Sequence, residues 1–522
     1  METPSLFQSL EEVTTARMTG ANRAAALEAI PLSLFDQASC QAEPPLKECN
    51  LLVDLLESGN DALTAIAANR LTTLLANAPF SAVYEIFSEP LINALTSAST
   101  EPVLQLVLRQ CEKCLKSREQ IDAFLATPLL FGLIQALEDG SSQLCEDISA
   151  FVAALITELP DQINLILSSH VLSQLHQMAL IDDTVQQFRV YDAAARIALS
   201  SPSAFDMLVL QECIMDELIT QFSQMRDPLS AMLAVEIFSE LTLSEKGLRF
   251  LIDQGVLAET VLILRDRGED QPGRLCLPKL LQFIARIAML HDISFIEEKY
   301  AVLPAIFSLY HHSTEMEHKT LILAIIGHLG AHPANLPLFL QSSLSDLLEQ
   351  VLNNASAVGK ERVAAVEALA TILNSSRTMG ADTDGLVYEV WRRVDQDLDQ
   401  SHASGASLLR KLIAGTKQAF PDLLIPSYSS IHGLAQRTWG RNAMAMDEAP
   451  PGEASCIEYL LDRKQGSEGE GPHWKLAILQ AIDHNPLSAE SFSPSILERV
   501  ARYVREGAYY VPTEAAVLVA TE

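Results

Sequence analysis

The 522-residue chain has few aromatic residues: Phe, Trp and Tyr make up 6% of it, whereas hydrophobic residues together make up 48%. The core of a β-rich protein depends on aromatic and β-branched side chains, and strand-like alternation of apolar and polar residues is hard to find here. The composition therefore disfavours a β-sandwich or barrel, and it favours packing of Leu- and Ala-rich helices.

The chain also lacks long hydrophobic runs. No stretch reaches the roughly 18 consecutive apolar residues of a membrane span. The N-terminal sequence METPSLFQSLEEV has neither the basic start nor the apolar core of a signal peptide. We therefore expect no membrane association and a soluble protein of the cytoplasm, with the nucleus as a second compartment.

Cysteines are sparse. The eight cysteines are too scattered for a disulfide framework, which predicts reduced thiols. Cys111 and Cys114 form a lone CxxC, and no second pair is present to complete a tetrahedral zinc site. We expect neither a metal site nor a redox function at this motif.

Basic residues are outnumbered: 36 Lys and Arg face 67 Asp and Glu, which gives a net charge of −31. No basic run with interleaved aromatic residues is present, so a nucleic-acid partner is not expected. An acidic surface favours basic protein partners and disfavours anionic membranes. The same charge is equally explained by solubility alone.

Catalytic motifs are lacking as well. The chain has no GxGxxG after a strand, no GxxxxGK[ST], no HExxH and no GxSxG. The best metal candidate is HHSTEMEH, with His311, His312, Glu315, Glu317 and His318. It separates two apolar helical stretches, so we interpret it as a polar loop. We expect a protein that is not an enzyme, without catalytic residues, cofactor or metal.

What the chain does contain is a repeat. Clusters of apolar residues with helical spacing recur 38 to 46 residues apart, and they begin at Leu51, Leu91, Leu129, Val171, Ile214, Val256, Val302, Ser343 and Leu386. An Ala-rich helical stretch, such as VAAVEALATIL, follows each cluster. This period matches armadillo and HEAT units, whose helices bury their apolar faces only by stacking on the next repeat. The sequence predicts an all-α, armadillo/HEAT-like helical repeat solenoid with a long concave groove.

The regularity of the repeat suggests three parts. Residues 1–45 are predicted to form an N-terminal helical cap, and residues 46–445 to form repeats of about 42 residues. Residues 446–522 are predicted to form atypical C-terminal cap repeats with acidic loops and a short tail. Within the repeats, SSPSAFD and DQPGRLCLP are predicted to form turns at repeat boundaries.

Four stretches carry a resemblance to a known family. YVREGAYYVP ends the last amphipathic segment and contains Glu506, Gly507, Tyr509, Tyr510 and Val511 in the spacing Glu-Gly-x-Tyr-Tyr-Val. Three internal stretches agree with it: FRVYDAAARIALSSP, SEKGLRFLIDQGVL and IGHLGAHPANLPLFLQ. In these features the chain resembles the proteasome 26S non-ATPase regulatory subunit 5 family, and the similarity spans most of its length.

The resemblance implies a function. Members of that family are assembly chaperones of the proteasome base, and their solenoid binds the C-terminal domain of one AAA ATPase subunit. The complex is transient and includes a neighbouring ATPase and a large non-ATPase scaffold subunit. It hinders premature docking on the 20S core, and the free chaperone is expected to be a monomer. A preformed solenoid suits this role because it loses little entropy on binding.

The family supplies no site residues to transfer, so candidates come from geometry. In armadillo-like units the last helix of each repeat lines the concave face, and its polar side chains are candidate partner-binding residues. These are Arg189, Tyr191, Arg196, Lys279, Gln282, Arg286, His328 and Arg362. The alternative for each of them is a solvated surface side chain or one that packs along the repeat.

The alternative function is a generic armadillo/HEAT interaction scaffold or cargo adaptor. Armadillo import adaptors carry a series of Trp-xxx-Asn motifs on the concave face. Trp391, Trp439 and Trp474 are the three tryptophans of this chain, and none of them belongs to such a series. The assembly chaperone is therefore the favoured interpretation.

Overall fold

A computed structural model describes residues 5–15, 19–39, 45–56, 58, 60–96, 100–224, 227–266, 271–353, 359–375, 381–400, 407–418, 421–449, 451–465 and 469–510. Within these ranges every regular element is a helix and no strand occurs. The predicted fold class is confirmed: the chain is an all-α, armadillo/HEAT-like helical repeat protein.

The helices of the first half are α1 (Leu6–Thr15), α2 (Gly20–Ala29), α3 (Leu32–Ser39), α4 (Leu46–Leu56), α5 (Asp61–Leu74), α6 (Phe80–Thr96), α7 (Glu101–Glu112), α8 (Arg118–Leu125), α9 (Leu129–Gln135), α10 (Ser142–Glu158), α11 (Ile163–Ile166), α12 (Ser169–Ala179), α13 (Thr184–Leu199), α14 (Pro202–Phe205), α15 (Asp216–Gln224) and α16 (Pro228–Leu241). Those of the second half are α17 (Glu245–Asp253), α18 (Val256–Arg265), α19 (Gln271–Leu290), α20 (Ser294–Tyr300), α21 (Val302–His312), α22 (Met316–Ala331), α23 (Leu336–Gln341), α24 (Ser343–Asn353), α25 (Lys360–Asn374), α26 (Ala381–Gln400), α27 (Leu408–Gly415), α28 (Pro421–Gln436), α29 (Thr438–Ala445), α30 (Cys456–Leu461), α31 (Gly471–Asp483), α32 (Ser488–Ser491) and α33 (Pro494–Glu506).

The chain divides into two compact units. One contains Met1–Gln224 and Leu229–Leu248, and the other contains Met225–Pro228 and Arg249–Glu522. In the first unit, α2, α5, α7, α10 and α13 pack one after another in chain order. In the second unit, α19, α22, α25, α28 and α31 do the same, and α18, α21, α24 and α26 form a second row. Each unit is therefore a stack of repeats, with its core between the rows.

The predicted period is confirmed by the positions of the helices. The nine apolar clusters fall on α4, α6, α9, α12, α15, α18, α21, α24 and α26, or begin just before the helix. An additional short helix precedes several of these, so that α8–α9–α10 and α20–α21–α22, for example, are three-helix repeats. This third helix was not predicted from the sequence.

Two of the predicted turns are partly helical. SSPSAFD contains the four-residue helix α14, because the side chain of Ser201 accepts a hydrogen bond from the Ala204 N–H and caps its start. DQPGRLCLP lies almost entirely in α19, which begins at Gln271 and includes Pro278. Both turn predictions were therefore wrong in those residues.

Side-chain caps fix where several helices begin. A Ser, Asn or Asp oxygen accepts a hydrogen bond from the N–H three residues later, which satisfies an amide that has no partner within the helix. This occurs at Asn60, Ser117, Ser141, Ser168, Asp183, Ser201, Ser407 and Ser455. The starts of these helices are thus partly encoded by single polar residues.

Small residues set the distance between stacked helices of the second unit. A Cβ added to Gly327 on α22 would lie 2.9 Å from the Ala368 Cα on α25. One added to Gly433 on α28 would lie 2.7 Å from the Leu373 Cβ on α25. Real Cβ atoms do not approach so closely, so these helices pack only because glycine stands at the contacts.

Gly433→Leu is therefore expected to destabilise the second unit by about 1 to 3 kcal/mol, because overpacking forces the backbones of α25 and α28 apart. Urea unfolding followed by far-UV circular dichroism measures the loss. The control is Gly385→Ala on α26, where an added Cβ meets nothing within 4 Å. A Gly433→Leu protein that unfolds at the urea concentration of the unchanged chain would contradict this packing argument.

Side chains also tie each repeat to the backbone of a neighbouring one. We call these contacts inter-repeat ties. They join Arg70 to the Ile30 carbonyl, Asn77 to the Ser39 carbonyl, Lys113 to the Leu75 carbonyl, Lys246 to the Pro202 carbonyl and Asn335 to the Ile293 N–H, at separations of 38 to 44 residues. The ties satisfy backbone groups at helix ends, and their separation reproduces the period of the sequence.

Candidate protein-binding surface

The eight predicted partner-binding residues fall into two groups, one in each unit. Arg189, Tyr191 and Arg196 lie on α13 of the first unit. The other five lie on α19, α22 and α25, the three consecutive helices of one row in the second unit. The second group thus lies along a continuous part of the repeat stack.

Tyr191 is a core residue. Its side chain is 0% exposed, and its hydroxyl donates a hydrogen bond to the Ala179 carbonyl at 3.0 Å. Burial raises the pKa of Tyr191 well above its ordinary value, so the hydroxyl stays protonated. This hydrogen bond links α13 to the end of α12, which gives Tyr191 a structural role within the repeat.

Arg196 is only partly exposed and is already paired. Its Nε donates to Asp192 at 2.9 Å, and its Nη2 lies 3.5 Å from Glu146. Arg189 is half-buried, with an Nε that has no hydrogen-bond partner. On α13, Arg196 therefore belongs to an internal ion-pair network, whereas the Nε of Arg189 has no hydrogen-bond partner in the described part of the chain.

The group on α19 has a clear geometry. Lys279, Gln282 and Arg286 are spaced by three and four residues, which places them on one face of the helix. Leu275 and Met289 continue this face in both directions, and they are 54% and 48% exposed. We call these five residues the α19 stripe. It has two apolar ends and a cationic centre, a composition that suits contact with a protein.

The sequence reasoning missed Leu275 and Met289 because it searched for polar residues only. The signal was present in the spacing: both lie seven residues from Gln282, on the face already chosen for Lys279 and Arg286. Exposed large apolar side chains next to cations are a common feature of interfaces. Lys279 and Arg286 are half-buried and also interact with neighbouring groups of the chain.

His328 and Arg362 lie on the next two helices of the row. Burial lowers the pKa of His328, so its imidazole is neutral at pH 7 and adds no charge to this surface. Arg362 lines a cavity of about 680 Å³ together with Lys360, Glu367 and Asp422. Burial, assisted by repulsion from Asp422, raises the pKa of Glu367.

That cavity therefore presents two cations and two carboxylates within one depression between α25 and the start of α28. Mixed charges of this kind select partners by complementarity more than by net attraction. Together with the α19 stripe, it gives the second unit a set of polar and apolar side chains that are at least partly exposed along one row of helices.

The CxxC cysteines and the buried histidine of the HHSTEMEH motif have structural roles in the fold. Cys111 and Cys114 are buried thiols, and burial raises the pKa of Cys114 to about 12, which makes it a poor nucleophile. The HHSTEMEH motif was predicted to be a polar loop, but only residues 313–315 form a loop, whereas the other five residues end α21 and begin α22. His318 is buried there against Ser313 and Glu315. In the described part of the chain no group of three His, Cys, Asp or Glu side chains is arranged to hold a metal ion.

No helix in the described ranges combines the length and the apolar character needed to cross a bilayer. The proteasome non-ATPase 26S subunit family model matches residues 9–522. The chain belongs to this family. The resemblance found in the sequence is thereby confirmed.

Relatives of the chain are named 26S proteasome non-ATPase regulatory subunit 5. The cattle protein is 23% identical over 357 residues, which is 66% of this chain and 65% of the relative. The mouse protein is 22% identical over 511 residues, which is 94% of each chain. The alignment with the cattle protein thus spans slightly less than two thirds of that relative's length.

Two solved structures are similar to the chain at low scores. An engineered protein gives a TM-score of 0.37 at 15% identity, covering 83% of this chain and 99% of its own. A designed armadillo repeat protein gives a TM-score of 0.33 at 14% identity, covering 50% of this chain and 99% of its own.

Proposed function

We propose that this chain is an assembly chaperone for the base of the proteasome regulatory particle. Its binding partner is the C-terminal domain of one AAA ATPase subunit, held in a transient module that also contains a neighbouring ATPase and a large non-ATPase scaffold subunit. While bound, the chain hinders premature docking on the 20S core. The family match across residues 9–522 is the observation that carries this proposal.

The second unit supplies the surface for this interaction. The α19 stripe contributes apolar contact through Leu275 and Met289, and Lys279 and Arg286 orient an acidic surface of the partner. His328 and Arg362 extend the contact along the row. A repeat stack changes shape little on binding, so its surface is preorganised for a folded domain.

The proposed chaperone role requires no catalysed reaction. We propose a non-catalytic protein that binds neither a cofactor nor nucleic acid, acts as a monomer when free, and works in the cytoplasm and the nucleus. Steric exclusion is sufficient to hinder docking on the core.

The test is binding of the full chain to each of the six separately expressed C-terminal ATPase domains, measured by calorimetry. Saturable binding to one domain, with the other five weaker, is the expected result. Failure with all six, while circular dichroism shows a folded helical protein, would overturn the proposal and leave a generic armadillo scaffold with another partner.

The α19 stripe gives a sharper prediction. A Leu275→Asp/Met289→Asp protein is expected to bind the selected ATPase domain at least about tenfold more weakly, because two exposed apolar contacts are replaced by charges. Reversing Lys279 and Arg286 to glutamate is expected to have an effect of similar size, mainly on the association rate.

The matched control is Arg502→Glu on α33, whose side chain is 59% exposed and lies outside the stripe. Thermal unfolding of each variant separates lost binding from lost folding. Equal affinities for the stripe variants and the unchanged protein would place the contact elsewhere on the chain.

A further inference from the structure

The last repeats of the second unit enclose a cavity of about 720 Å³ that the proposed function does not use. It is lined by residues of α28, α29 and α31, together with Asp384 of α26. Its size falls within the range of sites that bind small ligands or the ends of peptides. We call it the Arg441 pocket, after the arginine among its lining residues.

Arg441 is completely buried, yet its guanidinium has only neutral partners. Nη1 donates to the Ala435 carbonyl and Nη2 to the Thr438 hydroxyl, each at 3.1 Å, and Nε has no hydrogen-bond partner. Within the described part of the chain, no carboxylate lies at ion-pair distance from it. Burying a cation without a counter-ion is costly, so the arrangement lacks an anion.

The nearest carboxylate of the pocket is already engaged. Asp384 accepts from Nη1 of Arg437 and from Nε1 of Trp439. Its charge is thereby balanced by Arg437, and one excess positive charge remains on Arg441. Burial lowers the pKa of Arg441, and Glu490 and Asp384 oppose that shift from a distance. An arginine nevertheless remains protonated in proteins.

The pocket is also lined by hydrogen-bonding side chains from the end of α31. Gln480 on α31 and His484 just after it line the pocket. In the residues that the structure describes, neither side chain has a hydrogen-bond partner. An amide and an imidazole can both donate to the oxygens of one carboxylate, and charge assistance strengthens such bonds.

We propose that the Arg441 pocket binds a peptide carboxylate. A single negative charge matches the single excess cation, whereas a phosphate would bring more charge close to Asp384 and Glu490. The carboxylate can belong to a free C-terminus or to an Asp or Glu side chain. This site lies outside the α19 stripe, so its failure or success is independent of binding to an ATPase domain.

Calorimetry of the full chain with three short peptides and inorganic phosphate tests the proposal. Acetyl-tetra-alanine with a free C-terminus presents a terminal carboxylate, and its amidated form presents none. An amidated peptide with one internal glutamate presents a side-chain carboxylate.

At least one of the two acidic peptides is expected to bind about tenfold more tightly than the amidated peptide without glutamate, a difference of about 1.4 kcal/mol in binding free energy. The acidic peptide that binds more tightly shows whether the pocket prefers a terminal or a side-chain carboxylate. Equal binding of acidic and neutral peptides, tighter binding of phosphate, or no saturable binding would each overturn the proposal.

Three variants locate the site. Gln480→Glu places a competing negative charge in the pocket and is expected to abolish the preference for the acidic peptide. Arg441→Met should also remove that preference, and thermal unfolding shows whether this variant remains folded. Gln350→Glu makes the same change at an exposed residue of α24, outside both the pocket and the α19 stripe, and is expected to leave the preference intact. Loss of the preference in Gln350→Glu as well would overturn the assignment to this pocket.

Discussion

Asn335→Leu is expected to lower the free energy of unfolding of the second unit by about 3 to 4 kcal/mol. Asn335 is 0% exposed, and its Oδ1 accepts from the Ile293 N–H at 2.8 Å. Its Nδ2 donates to the carbonyls of Ala288 at 3.0 Å and His291 at 2.8 Å. Leucine has similar volume but removes the partner of two buried backbone groups and of the partly buried His291 carbonyl; an unsatisfied buried group costs about 1 to 3 kcal/mol before relaxation.

The measurement combines urea unfolding with hydrogen exchange of the amides between α19 and α20, which should lose protection first. Asn335→Asp keeps an acceptor for the Ile293 N–H, but it replaces the donating amide with a carboxylate oxygen, so it should lose both donated bonds and add repulsion from the two carbonyl oxygens. Asn69→Leu on the exposed face of α5 is the matched control. Unchanged exchange around Ile293 in Asn335→Leu would show that this tie contributes little.

Lys475→Met is expected to have a comparable effect on the C-terminal repeats. Lys475 is 1% exposed, and its ammonium donates to the carbonyls of Tyr459 at 2.9 Å, Asp462 at 2.9 Å and Gln465 at 2.6 Å. It also lies 4.1 Å from the centre of the Tyr459 ring. Methionine fills the space but leaves the carbonyls at the end of α30 without a donor, at a cost of about 3 kcal/mol. Lys464→Met, an exposed neighbour, is the control.

The penalty of this substitution should depend on pH. Burial lowers the pKa of Lys475 to about 8, whereas an unfolded lysine has a pKa of about 10.4. Below pH 8 both states are protonated and the full cost of burying the charge is present. Between about pH 8 and pH 10.4 the unfolded state binds more protons than the folded state. The free energy of unfolding of the unchanged chain therefore rises with pH in this range, relative to that of the Lys475→Met protein. Unfolding both proteins in urea from pH 7.5 to 10 checks the sign; a constant difference would contradict it.

The repeat pattern could be predicted from the sequence because each long helix must bury an apolar face. The clusters at Leu129, Val256 and Val302 are the first turns of α9, α18 and α21. The short helix α14 could not be predicted, since four residues show no periodicity and its cap at Ser201 resembles a turn. The start of α19 was missed because Pro and Gly usually interrupt helices.

The candidate surface was predictable only in part. The positions of Lys279, Gln282 and Arg286 on one face of α19 follow from their spacing alone. The burial of Tyr191 did not, because its partner Ala179 belongs to another helix. Nor could the unpaired charge of Arg441 be anticipated, since it depends on Asp384 having been taken by Arg437, more than 50 residues along the chain.

The inter-repeat ties have a consequence for how such a chain can change in evolution. In arrays built from near-identical modules, a whole repeat can be gained or lost because every junction is equivalent. Here the junction made by Arg70 at Ile30 differs from the one made by Asn335 at Ile293. Removal of one repeat would leave a backbone group of the preceding repeat without its hydrogen-bond partner. It would also leave a polar side chain of the following repeat without the backbone group that it binds. The number and order of modules are therefore expected to be inherited unchanged while surface residues diverge.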